Sequence, residues 1–419
     1  MTRVVAAAPM TGAERAPDWL AKVRTELVGN ILPFWPRYAL DRSGGGFFGE
    51  IAEDLTVRPD APRASVVNTR ILWTYSAAAR LIGPEWRPTA DWAFDYIARH
   101  FWDDKEGGLF WWVDRHGQPL ATRKQTYSQA FGIYAVSEYY RLTGNPKALE
   151  MGKALYTLIE THCFDAAQGG YIEARDRAWQ PLADMRLSDK DLNSPKSMNT
   201  HLHVLEGYTN LLRVWPDETL RARQKALIET MLDRIVDSEA GHFKLFFDEA
   251  WTSLNDHVSF GHDIEGSWLL VEAAEVVGDE ALLARARTVA IKMARACLEQ
   301  GLDADGAMLF EANGAGAILD ASKHWWVQAE AVVGLYNAFE LTGEAAFRTA
   351  ARRAWDYIEN HIVDREHGEW HAKVTRDGKV LRESEDADAV LVGPWKCPYH
   401  NARVCYEMLT RLENEKETP

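Results

Sequence analysis

The chain has 419 residues, 47% of them hydrophobic and 26% charged, and a net charge of −15. That composition predicts a soluble globular protein with ample core material. The negative balance argues against nucleic acid and anionic membrane surfaces as partners, since both demand clustered Lys and Arg. No run of about 18 apolar residues is present, so no membrane span is predicted.

Val4–Met10 is apolar but short and broken by Pro9, a poor signal peptide, so residues 1–15 read as a loose tail before one catalytic domain over 16–415. A helix over 17–39 leads to Asp41–Phe48 (DRSGGGFF), an Asp followed by a Gly turn and an aromatic pair. Helical spacing of apolar residues then covers Val66–Leu81, the break Ile82-Gly83-Pro84 follows, and Asp91–Phe101 is the next helix. The Asp motif returns at Asp103–Phe110, and the sequence repeats itself: helix Gln125–Leu142, break at Thr143-Gly144, helix Pro146–His162, motif Asp165–Tyr171. Further on come helices Pro195–Val214 and Glu218–Val236 with motif Asp237–Phe243, then Asp263–Val277 and Glu280–Gln300 with motif Asp303–Phe310. Trp325–Leu341, Glu344–Ile362, motif Asp364–Trp370 and Pro398–Leu412 complete the series. Successive motif Asp residues lie 62, 62, 72, 66 and 61 apart. Six near-periodic copies predict a repeat architecture of twelve helices in six pairs, with short hairpins between pairs. Neither terminal helix looks like a polar cap, so the array closes into an all-α (α/α)6 barrel, even-numbered helices inside.

Residues hard to explain as packing gather at the starts of the inner helices, which in a barrel converge on one mouth. They are Arg70; Tyr127; Asn199, His201 and His203; His257, His262 and Glu265; His324, Trp325, Trp326 and Glu330; and Trp395, Lys396 and His400. Ser194-Pro195 and Pro398 read as helix starts. Asn199 and His203 share a helix face, as do His262 and Glu265, whereas His201 and His203 cannot both face the lumen; His203 is preferred. A lone buried His is usually structural, but His from three helices at one end of a barrel points to acid–base chemistry. No H-E-x-x-H is present, so no metal is expected. The four cysteines, Cys163, Cys297, Cys397 and Cys405, form no C-x-x-C pair and read as reduced thiols in a cytoplasmic protein.

KSMNTHLHVLE (Lys196–Glu206), GHDIEGSW (Gly261–Trp268), WWVQAEA (Trp325–Ala331) and WKCPYHN (Trp395–Asn401) resemble the N-acylglucosamine 2-epimerase superfamily, most of all its cellobiose 2-epimerase branch. The resemblance implies an (α/α)6 barrel and three essential histidines at His203, His262 and His400, with an essential arginine at Arg70. It implies sugar contacts at Tyr127, Asp191, Asn199, Glu265, Trp326, Glu330 and Trp395; Trp325 and Lys396 stand beside these. The acetylglucosamine branch uses a nucleotide activator, but no Gly-rich phosphate loop is present here, and no cofactor is expected. The implied activity interconverts glucose and mannose at the reducing end of cellobiose-type β-1,4 disaccharides.

That chemistry opens the sugar ring, removes the C2 proton to give a cis-enediolate, and returns a proton to the opposite face. His262 and His400 are the expected opposed C2 bases and His203 the ring-opening group, with Glu265 orienting a histidine. Arg70 would hold the enediolate oxygens with its planar fork. Rival readings are an inverting glycoside hydrolase using a pair from Glu265, Glu330, Asp191 and Asp248, an aldose–ketose isomerase or 2-epimerase of mannose, and a non-catalytic saccharide-binding module. A small saccharide is the expected partner, with the chain a monomer or homodimer.

Overall fold

In the computed structural model, which describes residues 16–417, five of the six repeat Asp residues fold their own turns in one way, Asp303 accepting instead from Ala304 N–H. Each of the five carboxylates accepts the N–H groups two and three residues on: Ser43 and Gly44 for Asp41, Lys105 and Glu106 for Asp103, Ala167 and Gln168 for Asp165. The same pair of bonds recurs at Asp237 and Asp364. A side chain that captures backbone donors in this way ends the preceding helix. Gly then reverses the chain at positive φ, 71° at Gly107 and 74° at Gly169, where a Cβ would cost about 1–2 kcal/mol. The tail predicted over 1–15 lies outside the described residues.

Twelve helices separate these turns among the described residues. They are α1 (Ala16–Glu26), α2 (Ser65–Leu81), α3 (Arg87–Tyr96), α4 (Thr126–Thr143), α5 (Pro146–His162) and α6 (Met198–Val214). The second half supplies α7 (Glu218–Thr230), α8 (Phe260–Val277), α9 (Glu280–Ala296), α10 (Trp325–Thr342), α11 (Ala345–Tyr357) and α12 (Tyr399–Glu417). The even-numbered helices pack in a closed ring, α2 on α4 and so on to α12, which returns to α2. Each odd-numbered helix covers one of them from outside. Burial follows: α2 is buried without a break from Ser65 to Ala78, whereas α11 buries only one stripe, Phe347, Ala350, Ala351, Ala354, Trp355 and Tyr357. A helix covered on all sides needs no polar face, and one on the rim does.

The outer helix α3 begins at Arg87, four residues before the expected Asp91, and two inner helices start three residues away from the sequence reading. The third inner helix begins at Met198, capped by the Ser197 side chain rather than by Ser194, because Lys196–Ser197 is drawn into a strand pairing with Phe246–Phe247. The fourth begins at Phe260, which places His262 inside the helix. Similar short strands precede three further inner helices and pair with the next repeat: Arg63–Ala64 with Trp112–Val113, Lys124–Gln125 with Ala174–Arg175, and Lys323–His324 with Lys373–Val374. A bridge between Ile51 and Val392 joins the first repeat to the last and closes the collar.

Two side-chain devices lock collar to barrel. The residue entering an inner helix sends a buried cation to a neighbouring repeat Asp: Arg63 to Asp41 (2.6 Å), Lys124 to Asp103 (3.0 Å) and Lys196 to Asp165 (2.8 Å). The fourth residue of the helix then binds the backbone of the Gly turn. Gln129 bonds both N–H and C=O of Leu109, Gln328 does the same at Met308, Asp263 accepts from Phe243, and His201 accepts from Tyr171. All four cysteines are buried and free. Among the described residues no helix is long and apolar enough to cross a membrane.

Candidate active site

Register along the inner helices decides which side chains enter the lumen. The second residue of successive helices is Tyr127, Asn199, Trp326 or His400, and the sixth is Arg70, Phe131, His203, Glu265 or Glu330. The ninth is Trp73, Tyr134, Glu206 or Trp268. Positions two, six and nine lie on one face of a helix. Their contacts agree: the Tyr127 and Phe131 rings lie 4.8 and 4.6 Å from His203, and Trp326 lies 4.8 Å from His262 and 5.6 Å from His400. His203, His262 and His400 therefore surround one space.

Each of the three histidines has Nδ1 held and Nε2 without a partner among the described residues. Glu206 holds His203 Nδ1 at 3.0 Å, Glu330 holds His400 Nδ1 at 2.8 Å, and the Ser259 hydroxyl holds His262 Nδ1 at 2.7 Å. Fixing one nitrogen orients the ring and leaves the other as the reactive atom. Burial pushes the pKa of His203 and His262 down to about 3, with the Arg70 charge adding to the effect, and holds His400 well below the usual imidazole range. Burial raises Glu330 in the opposite direction, so its contact with His400 favours a retained proton. Arg70 lies over the Phe131 and Tyr399 rings, at 4.3 and 5.1 Å, and donates to the Tyr127 hydroxyl at 2.8 Å. Burial drives that hydroxyl's pKa up, so it stays protonated.

Around this centre the residues divide. Asn199 is half-buried and keeps an unpaired side-chain oxygen. Trp395 packs 6.1 Å from Tyr127 and 6.2 Å from Trp111, forming an aromatic wall that sequence reasoning found only in part. Of the tryptophan pair, Trp326 meets the histidines, while Trp325 is buried beneath the Lys396 ammonium. Asp191 sits in the long connection before α6, accepting from Ser188 N and Oγ at 2.8 Å. His257 is exposed, and His324 is stacked on Phe310 at 3.8 Å.

Three expectations are corrected. Lys396 does not reach into the lumen: its ammonium is buried against Glu369, the same kind of cation lock as Lys124 and Lys196. Glu265 shares a face with His262 but is not its partner, which is Ser259; it accepts from Arg403, and the histidine it stands near is His400, at 3.9 Å from Nδ1. Glu330 stands in the lumen register but its oxygens are taken by protein, accepting from Trp268 Nε1 at 3.0 Å and from Arg403 at 2.7 Å and holding His400, so it is a histidine partner rather than a sugar contact. Sequence reasoning missed Arg403, Glu206 and Ser259. Each lies three residues from a chosen histidine, so the spacing rule that paired His262 with Glu265 applied equally to them. Glu265, Glu330 and His400 bring ligand atoms within 4.8 Å of one another, a spacing a metal ion could use. The cation those carboxylates face is the Arg403 guanidinium.

The family model for N-acylglucosamine 2-epimerase matches residues 46–391. A cellobiose 2-epimerase of Bacteroides fragilis is 45% identical over 93% of this chain and 98% of that protein. The chain belongs to the N-acylglucosamine 2-epimerase family. It is similar in structure to the cellobiose 2-epimerase of Bacillus thermoamylovorans B4167, with a TM-score of 0.89 at 39% identity, covering 94% of this chain and all of that one (100%). A D-mannose isomerase shares the fold, with a TM-score of 0.80 at 20% identity over 93% and 97% of the two chains. The (α/α)6 barrel expected from the repeat is the fold of these relatives.

Proposed function

We propose that this enzyme interconverts glucose and mannose at the reducing end of cellobiose-type β-1,4 disaccharides, by proton transfer at C2 and without a metal. The observation that carries this reading is the histidine trio, held at Nδ1 by separate partners and open at Nε2 around one lumen. His203 serves the ring oxygen and anomeric hydroxyl, opening the ring. His262 and His400, both against Trp326, stand as the opposed C2 acid and base. A positioned acid or base of this kind contributes roughly 10²–10⁴-fold in rate. The C2 carbanion is delocalised as an enediolate, whose negative oxygens face Arg70 and the Tyr127 hydroxyl. Asn199, Trp326 and Trp395 line the sugar, and Trp111 extends the wall outward for a second sugar ring.

Hydrolysis is the weaker reading. Glu265 and Glu330 offer oxygens within 4.8 Å of each other, both bonded to Arg403, whereas inversion needs carboxyls about 6.5–9.5 Å apart with water between.

Proton NMR of cellobiose with chelator-treated enzyme in D2O tests the proposal. The expected product is glucosyl-mannose with deuterium at C2. Turnover of mannose with cellobiose untouched would move the substrate to a monosaccharide, and accumulation of a ketose would make the reaction an isomerisation. Release of glucose would overturn it.

A further inference from the structure

One guanidinium stands behind the histidines. Arg403, three residues after His400 on α12, is fully buried. Its Nη2 donates to Glu330 Oε1 at 2.7 Å and to Glu265, and its Nη1 donates to Glu206 and the Tyr399 hydroxyl. Two of those carboxylates are the Nδ1 partners of His203 and His400. A single planar fork thus fixes acceptors from α6, α8 and α10, a task the point charge of lysine performs less well.

The cluster's charge is unbalanced. Glu206, Glu265 and Glu330 would contribute −3, and Arg70 and Arg403 contribute +2, all five side chains being buried. An uncompensated buried charge is costly, so one extra proton is favoured. Three contacts bear on where it sits. The Glu330–His400 contact joins a carboxylate to an imidazole through Oε1, which Arg403 also meets, while Trp268 holds Oε2. Glu206, which holds His203 in the same way, has Arg403 Nη1 and the Tyr399 hydroxyl to itself, whereas Glu265 and Glu330 crowd the single Nη2, two carboxylates within 4.8 Å, where a shared proton relieves their repulsion. His262 faces only the neutral Ser259 hydroxyl, which offers no charge to stabilise an imidazolium.

We propose that Arg403 is a positioning residue that sets the charge of this cluster, so that the Glu330–His400 pair carries the proton in the free enzyme while His262 stands neutral. Resting on the C2 epimerisation reading above, this makes His400 the acid and His262 the base for the epimer whose C2 proton faces His262; the reverse reaction starts from the oppositely protonated pair. His262 Nε2 takes the C2 proton, and the C–H electron pair passes into the enediolate. The enediolate then forms a new C2–H bond on the opposite face with the proton of His400 Nε2, and the carbonyl re-forms. The cycle leaves the extra proton on His262, from which it returns to the Glu330–His400 pair through solvent. Groups facing the pair are Arg403 on its own helix, Glu265 and His262 on α8, His203 on α6 and Arg70 on α2.

The test is the pH dependence of kcat/KM in Arg403→Met and Arg403→Lys. The alkaline limb reports loss of the shared proton. Removing the guanidinium strengthens the hold on that proton, so Arg403→Met moves the limb to higher pH and lowers kcat about a hundredfold through misplaced histidines. Arg403→Lys keeps the charge, leaving the limb near the wild-type position with a smaller loss of kcat. A folded Arg403→Met enzyme with an unmoved limb overturns the proposal, whatever its kcat. If that variant does not fold, Glu330→Gln is measured. Without the carboxylate, protonated His400 is less stable and the limb moves to lower pH; an unmoved limb again overturns the proposal. Failure of the functional reading shows separately, as wild-type enzyme that leaves C2 of every aldose unchanged.

Discussion

His201 and His203 are two residues apart on one helix, and the structure gives them unrelated work. The His201 ring spans Ser197 O (2.6 Å) and Tyr171 N (2.8 Å), tying the helix start to a Gly turn. Gln129, Asp263 and Gln328 hold the same place in their helices, so His201 is one version of a repeated clamp. His203 stands in the lumen register with Asn199, as the i, i+4 spacing predicted. His201→Ala leaves the Tyr171 N–H buried without a partner, at a cost of about 1–3 kcal/mol. Urea unfolding should show a destabilised protein whose folded fraction still epimerises, whereas His203→Ala should unfold near the wild-type midpoint and lose turnover. The reverse pattern would exchange the two roles.

At the scale of the element, the repeated unit is helix, Asp turn, short strand, helix, and the buried cation is what joins the pieces. The Lys124 ammonium has no water contact and meets Asp103, which Arg177 also holds, at 2.9 Å. Lys124→Met removes one partner of a buried carboxylate, and breaking such a pair typically costs about 3–5 kcal/mol. A fall in thermal midpoint with little change in KM is the expected result; a changed KM with unchanged stability would place Lys124 in the substrate site instead. The same device accounts for Lys396. Its position beside Trp395 and His400 in sequence suggested a sugar contact, but the residue entering an inner helix points into the collar, and the lumen register begins three or four residues later.

For the whole molecule, burying several neutral histidines makes stability depend on pH in a definite direction. Burial holds His201 at about 4 and His203, His262 and His324 at about 3, against 6.5 in the unfolded chain. Below 6.5 the unfolded chain takes up protons that the folded chain refuses. The contribution is therefore complete above 6.5 and is lost as pH falls from there towards 3. Glu173 acts the opposite way, its pKa raised by burial to about 7 from 4.5, so it favours the folded state at lower pH across that interval. Glu330, raised by burial to about 8, acts the same way; four histidines outweigh these two carboxylates, and the thermal midpoint should fall between pH 6.5 and 4.5. A midpoint flat or rising over that range would contradict the buried neutral histidines.

The period of the Asp motif, the apolar spacing between copies and the absence of polar end caps determined twelve helices, their pairing and their closure, because these depend on local turn chemistry and burial pattern alone. Counting residues placed His201, His203, His257, His262, His324 and His400 at or beside helix starts, and the family resemblance singled out His203, His262 and His400 among them. What holds them was decided only by tertiary structure. Arg403, Glu206 and Glu330 come from three helices, and the burial that raises Glu330 and depresses the histidines exists only once the ring has closed. Ser259 became the His262 partner because the helix starts three residues earlier than apolar spacing suggested, a shift set by strand pairing with Glu311–Asn313 in the next repeat. Helix starts in this fold are fixed by the collar, and the collar's register is a long-range property.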